Sequence, residues 1–429
     1  MKSLDFGRYA LGCFVASAML AGCGGLRQAP DDMQPPIGAQ GVTSLPLAVP
    51  RHAYSSIYSF QAEPDGQNPD ARLIPFDNDL YGTTSAGGTA CGEKGCGVVF
   101  KVTKSGTETV LHRFEGKPDG AKPLAELVVV RNKFYGTTYS GGKSCKAARI
   151  NGCGTVFSID RSGAEHVLHA FKGMPDGANP EGPLTLVNGT LYGTTMNGGS
   201  RCADFPDGCG TIYSIDTLGY ETVLYRFRGK TYDGSAPTGN LVYLYGTLYG
   251  TTMNGGSHLL GTVFASSLSG SERVLYSASG NYNMAYPSGL VAMDGELYGS
   301  SIEGGRQAGG TVYAITTNGD EHVVHDFSNY KERNGNRPSG RLIAAGGLLY
   351  GTTIDGGQEN KGYGVVYALT RYGGLQVLYR FKGPPDGSYP YVGVSDAKGT
   401  LFGTTYNGGT GCYHYGCRGG YGTVFRLAP

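Results

Sequence analysis

The chain has 429 residues, of which 74 are glycine, 31 tyrosine and none tryptophan. Its 35 Lys+Arg against 34 Asp+Glu leave a formal net charge of +1, so it offers no basic stripe for nucleic acid. Glycine at this level can mark disorder, but here it recurs at fixed positions beside apolar runs, which marks turns and close packing.

The first segment in chain order is a targeting signal. In residues 1–22, Lys2 and Arg8 supply a basic start, and residues 11–20 form a mostly apolar run too short to span a bilayer. The run ends in Leu20-Ala21-Gly22-Cys23, which resembles a bacterial lipobox. That resemblance implies cleavage before Cys23 and lipidation of its thiol. Gly24, where an aspartate would retain the protein at the inner membrane, points by the same analogy to the outer membrane. An ordinary signal peptide cleaved nearby, or a buried N-terminal element, is the alternative. Residues 23–53 carry Pro30, Pro35, Pro36, Pro46 and Pro50, and read as a tether reaching on the order of 90 Å when extended.

From residue 54 to 429 one pattern repeats. Leu-Tyr-Gly-Thr-Thr or a near variant recurs with its aromatic at Tyr81, Tyr135, Tyr192, Tyr249, Tyr298, Tyr350 and Phe402. The period is about 50 residues, which signals a propeller or solenoid. In the third repeat, residues 181–187 and 190–195 flank Asn188-Gly189, a strong hairpin signal. Residues 210–215 and 223–227 follow as two more strands. With these labelled a to d, the spacing predicts an all-β domain of four-stranded units. The a–b and c–d turns keep nearly constant length. The distance from the aromatic slot to the glycine opening strand c varies as 16, 19, 18, 12, 12, 14 and 20 residues, so the b–c loop carries the variation. The ends complement one another. Residues 55–60 are a lone strand d, and residues 422–427 a strand c without its d. The arithmetic predicts a seven-bladed β-propeller of four-stranded blades, closed by the N-terminal strand and leaving no open edge.

Eight cysteines beyond Cys13 and Cys23 fall into four local pairs, Cys91/Cys96, Cys145/Cys153, Cys202/Cys209 and Cys412/Cys417. In an exported protein such pairs predict disulfides. Their separation among repeats argues against a shared zinc site.

The repeat is similar to the GloVer-type tandem repeat of choice-of-anchor exported bacterial proteins, on Leu-Tyr-Gly-Thr-Thr, Gly-Gly, Gly-Thr-Val-Phe and Asp-Gly-x-x-Pro. Its strand order resembles kelch propellers. The resemblance implies an exported, anchored protein and brings no catalytic residues.

In such a blade the b–c and d–a loops share one face. The sequence places there Asp65, Asp119, Asp176, Asp233 and Asp386 of the Asp-Gly turns, the cysteine pairs, and Tyr413, His414 and Tyr415. This is the expected binding face. Asp-Gly is also a common turn pair, and a calcium role would need these carboxylates to converge. Two Glu-His-x-x-His stretches, ending at His169 and His325, imitate metal motifs, but strand geometry turns their histidines to opposite faces, so no metal is expected there. The expectation is a cell-envelope lipoprotein that binds a polysaccharide or protein, or acts as a scaffold, without catalysis. The alternatives are an envelope hydrolase or lyase with its site at the channel mouth, recognisable by residues that break the repeat, of which Asp204, Asp207, His258, Arg306 and His414 are the best candidates though they form no recognisable set, and a purely structural surface protein.

Overall fold

A computed structural model describes residues 52–428, apart from 62, 144, 146–151, 203–204, 281, 330–332, 358–361 and 412–418. Cys23, the signal segment and the tether up to residue 51 lie outside the described residues. So do Cys412, Cys417, Tyr413, His414 and Tyr415.

The repeats form seven antiparallel sheets, each built from strands a, b, c and d in spatial order. Blade two is representative: a is Val128–Val130, b Lys133–Thr138, c Thr155–Ile159 and d Glu165–Ala170. Blade seven takes a, b and c from Val394–Ala397, Thr400–Thr405 and Thr423–Ala428, and its d from Ala53–Ser59. The closing register runs from Ala53 opposite Ala428 to Ser59 opposite Thr423. The strand therefore starts two residues earlier than the sequence suggests. Among the described residues no helix is long and apolar enough to cross a membrane.

The repeated word acquires a physical meaning residue by residue. Its glycine lies under the strand c aromatic: a Cβ on Gly136 would sit 2.7 Å from the Phe157 ring. The second hydroxyl ties b to c, as in Thr138 to Thr155 at 2.8 Å and Thr195 to Thr211 at 2.8 Å. In blades one, four, five and seven the first hydroxyl donates to the neighbouring blade, while at Thr137 and Thr194 it is buried without a partner. Thr83 donates to the Ala125 carbonyl, Thr251 to Ser288 and Ser300 to Gly340. Thr404 does the same to Ala71 across the closure between blades seven and one.

The apolar core lies between blades. The strand d phenylalanine of one blade meets the strand c aromatic of the next: Phe114 on Phe157 at 5.1 Å, Phe227 on Phe264 at 5.3 Å, Phe381 on Phe425 at 5.3 Å. Phe60, from the closing strand, meets Phe100 of blade one at 5.1 Å. Each edge-to-face pair adds about 0.5–1.5 kcal/mol to the burial itself. The proline of Asp-Gly-x-x-Pro completes the joint by seating on the glycine that opens strand c of the preceding blade. Pro180 sits on Gly154 and Pro69 on Gly422, where an added Cβ would lie 2.8 and 2.5 Å from the proline ring. The last joint is the ring closure, and it repeats the internal ones.

In blades three, five and six the strand c aromatic is tyrosine, and the hydroxyls of Tyr213, Tyr313 and Tyr367 are buried without a hydrogen-bond partner. Burial holds these phenols well above their ordinary pKa. Phenylalanine occupies the same slot at Phe100, Phe157, Phe264 and Phe425. Tyr313→Phe is therefore expected to stabilise the protein by about 1 kcal/mol or more, since an unmade buried hydrogen bond costs about 1–3 kcal/mol. Urea unfolding measures it, and a destabilised variant would mean the hydroxyl has a partner.

Candidate ligand-binding channel

Strand a is the innermost strand, and the strands a of neighbouring blades touch around the central channel. Each enters from the face that carries the d–a and b–c loops. The two loop types pair with each other there, as in Gly177 with Gly198 and Gly234 with Gly255. The third position after the strand a proline lies on or just before this innermost strand and departs from the repeat. It is Arg72, Glu126, Pro183, Asn240, Arg341 and Gly393 in blades one, two, three, four, six and seven. Blade five lacks the position, which accounts for its proline-to-tyrosine spacing of 11 residues instead of 12. Asn240 fills the gap, exchanging 3.0 Å hydrogen bonds with the backbone N–H and C=O of Leu290.

Arg72, Glu126 and Arg341 converge. Arg72 donates to both Glu126 oxygens, Nε to Oε2 at 2.5 Å and Nη2 to Oε1 at 3.1 Å. Arg341 donates through Nη1 to Oε1 at 2.7 Å, reaching from blade six to blade two. The Glu126 side chain is 11% exposed. Burial pushes its carboxyl up, but the two guanidiniums outweigh burial and hold it below the usual carboxylate range. Two cations thus share one anion, and Arg341 Nε is buried with no partner. The Arg341 side chain as a whole is 32% exposed, so its donors not turned to Glu126 are suited to a second carboxylate.

Four half-buried tyrosines line the loop side of blades six and seven. Tyr363 lies 6.4 Å from Tyr389, Tyr389 stacks 6.3 Å from Tyr391, and Tyr391 meets Tyr406 edge-on at 5.3 Å, ring centre to ring centre. The Tyr391 carbonyl packs against Gly340, one residue before Arg341. The backbone that carries Tyr391 therefore runs beside the backbone that carries Arg341.

The five Asp-Gly aspartates do not converge. Each folds its own d–a loop, accepting a hydrogen bond from a strand d side chain and from a backbone N–H a few residues upstream. Asp65 accepts from Tyr58 at 2.7 Å and from the Gln61 N–H at 2.9 Å. Asp233 takes Tyr225 at 2.6 Å, and Asp386 takes Tyr379 at 2.9 Å. In Asp119 and Asp176 the donors are His112 at 3.1 Å and His169 at 3.3 Å. Their carboxylates belong to the seams between blades. Cys91–Cys96, Cys145–Cys153 and Cys202–Cys209 are disulfide-bonded, with Cα separations of 5.4, 5.3 and 5.4 Å.

The Gloeobacter/Verrucomicrobia repeat family matches residues 46–204, 145–330 and 246–429. The chain belongs to this family. Virginiamycin B lyase from Staphylococcus aureus is similar in structure, at 15% identity and a TM-score of 0.56, covering 88% of this chain and 99% of that one. The computationally designed Ika8 protein matches at 12% identity and a TM-score of 0.47, over 87% and 99% of the two chains. At these identities the likeness is one of fold. No curated protein matches the sequence.

Within this Gloeobacter/Verrucomicrobia repeat chain, the motif itself builds blades, and the departures from it mark the channel. Reasoning from sequence missed Arg72, Glu126 and Arg341. The available signal was a position whose charge changes from blade to blade inside an otherwise regular strand. Of the departures named from sequence, Asp204 and His414 lie outside the described residues; the Asp207 carbonyl accepts the Gly198 N–H at 2.7 Å, exposed His258 bonds Ser257 at 2.9 Å, and the Arg306 N–H donates to Asp326 at 3.0 Å.

The first residue of strand d is glutamate in five blades, and it faces the seam. Burial, then repulsion from Asp65, pushes the Glu108 carboxyl up to about 7, against the attraction of Arg113. Burial pushes Glu272 up to about 7 as well, Tyr225 opposing and Asp233 reinforcing. A carboxyl whose folded pKa is raised favours the fold when protonated. This contribution is complete below the unfolded value of about 4.5 and is lost as pH rises through about 7. Thermal stability should therefore fall between pH 5 and pH 8, and less steeply in a Glu108→Gln/Glu272→Gln variant. Melting curves at the two pH values decide it; an unchanged drop in the variant contradicts the assignment.

Proposed function

We propose that this protein is a non-catalytic binding module of the bacterial cell envelope, anchored by lipid on Cys23, whose channel mouth receives an acidic polysaccharide. The observation that carries the reading is the Arg72–Glu126–Arg341 cluster, with two guanidiniums to one carboxylate and the Arg341 Nε buried without a partner. A uronate carboxylate would take the exposed donors of Arg341, whose side chain is 32% exposed, and the tyrosines from Tyr363 to Tyr406 offer ring faces for the apolar sides of sugars. Catalysis is disfavoured by the same geometry. Among the six residues at this strand a position Glu126 is the one carboxylate, both its oxygens are engaged, and an ionised carboxylate of lowered pKa is a poor proton donor and a weak base.

On an array of acidic and neutral polysaccharides, the full-length chain should bind the uronate-bearing ones and leave the neutral ones. Binding confined to neutral glycans would overturn the reading. The anchor has its own test. Cys23→Ala should be exported and found free of the membrane on fractionation, because the apolar run before it is too short to hold the chain and acyl chains supply the attachment. A variant that is exported and still sediments with membrane would contradict lipidation at Cys23.

A further inference from the structure

We infer that two seams between blades, His112–Asp119–Glu165 and His169–Asp176–Glu221, each hold a divalent transition-metal ion of the zinc class. The inference is independent of the channel. In each seam the histidine comes from strand d of one blade, the aspartate from the d–a loop that follows, and the glutamate from the start of strand d of the next blade. The three ligand atoms lie within 4.8 Å of one another. A tetrahedral zinc ion bound at about 2.0–2.2 Å needs neighbouring ligand atoms about 3.3 Å apart. His112 Nε2 to Asp119 Oδ2 is 3.1 Å and His169 Nε2 to Asp176 Oδ2 is 3.3 Å, so one edge is formed and only the glutamate has to close in. All six residues are half-buried, which leaves water for the fourth position.

Two further observations favour a metal over a plain hydrogen bond. First, Asp119 Oδ1 is buried with no partner, and so are Glu165 Oε1 and Glu221 Oε1; the strand d glutamate is an orphan in the other glutamate-bearing seams too, but among the described residues a histidine and an aspartate face it in these two alone. As in the other Asp-Gly turns, backbone N–H groups hold the aspartates, Glu115 on Asp119 Oδ2 at 2.9 Å, Lys172 on Asp176 Oδ2 at 3.0 Å and Gly177 on Asp176 Oδ1 at 2.7 Å, which is how outer contacts fix metal ligands. Second, the ring supplies its own comparison. Four seams carry tyrosine in the histidine position, and in three of them its O–H fills the place between the groups by donating to the aspartate. The third histidine, His325, has Leu375 where the glutamate would be, and its Nδ1 faces the Gly373 carbonyl at 3.2 Å. Histidine thus meets both carboxylates in these two seams alone among the described residues. The mixed imidazole and carboxylate set suits zinc; calcium would want six to eight oxygens. The Glu-His-x-x-His stretch at 165–169 takes part in an unforeseen way. Glu165 serves the seam before it, His169 the seam after it, and His166 is exposed.

The test is calorimetric titration of Zn²⁺ into the metal-free full-length chain with its disulfides intact. The parent should take up two equivalents, His112→Tyr one, and His112→Tyr/His169→Tyr none, while His325→Ala keeps two. Tyrosine is what the other seams use, so the variants retain the fold, and circular dichroism verifies it. Zinc should raise the melting temperature of the parent and leave that of the double variant unmoved. No uptake by the parent, or the same uptake by a folded double variant, overturns the inference.

Discussion

Deleting residues 53–60 from the full-length chain is expected to abolish cooperative folding. Those residues supply the fourth strand of blade seven, paired from Ala53–Ala428 to Ser59–Thr423, and they anchor both neighbours of that blade. Tyr54 stacks on Tyr379 of blade six at 3.8 Å. Phe60 is fully buried against Phe100 of blade one. Losing one buried phenylalanine alone costs about 3–5 kcal/mol, against a total stability of about 5–15 kcal/mol for a typical domain. The deletion also leaves strand c of blade seven as an unpaired edge, an invitation to aggregate. Size-exclusion chromatography and urea unfolding measure the effect. A deleted chain that stays monomeric and unfolds at the parent's midpoint would mean that the ring does not depend on its closing strand.

Glu126→Ala should be the most damaging single substitution in the channel, at about 3–5 kcal/mol. It removes the only counter-charge that Arg72 and Arg341 share, leaving two guanidiniums facing each other in a partly dry site. The triple change Arg72→Met/Glu126→Leu/Arg341→Met removes the whole cluster and should cost little, since a buried ion network exchanged for apolar side chains of similar volume is often neutral. Urea unfolding of the two variants separates a structural network from a functional one. If the triple variant is as unstable as the single, the charges hold the ring together and a ligand-binding role loses its support. If it is stable but no longer binds, the cluster is there for the ligand.

The architecture was legible because each residue of the repeat has a local task. Gly136 under Phe157 and Pro180 on Gly154 recur in every blade and the Thr138 to Thr155 pair in five of the seven, so the copies average out the noise of any one. The closing strand was legible by counting. What sequence could not supply is what no repeat period encodes. The strand d ladder slips by one residue, as between Val167 and His169, and apolar spacing alone does not reveal the bulge. The channel cluster joins residues 54 and 215 positions apart, and its members differ in every blade, so they resemble ordinary variation in a short strand. The His112, Asp119 and Glu165 seam escaped for a related reason. Its histidine and glutamate are separated by almost a full repeat, while the eye is drawn to Glu165, His166 and His169 close together in sequence. The Asp-Gly aspartates were read as turn-formers or ligands; each has a defined bond to its own strand d.

The central claim, that the channel mouth receives an acidic glycan, is most directly tested by calorimetric titration of a galacturonate oligomer into the full-length chain and its Arg341→Ala variant. Arg341→Ala leaves Glu126 paired with both donors of Arg72, so the ring should remain intact while the unused donor is lost. The account predicts binding by the parent that weakens with added salt, at least a tenfold loss in the variant, and none of the neutral oligomer bound by either. Equal affinity of parent and variant, or equal binding of the neutral oligomer, would contradict it.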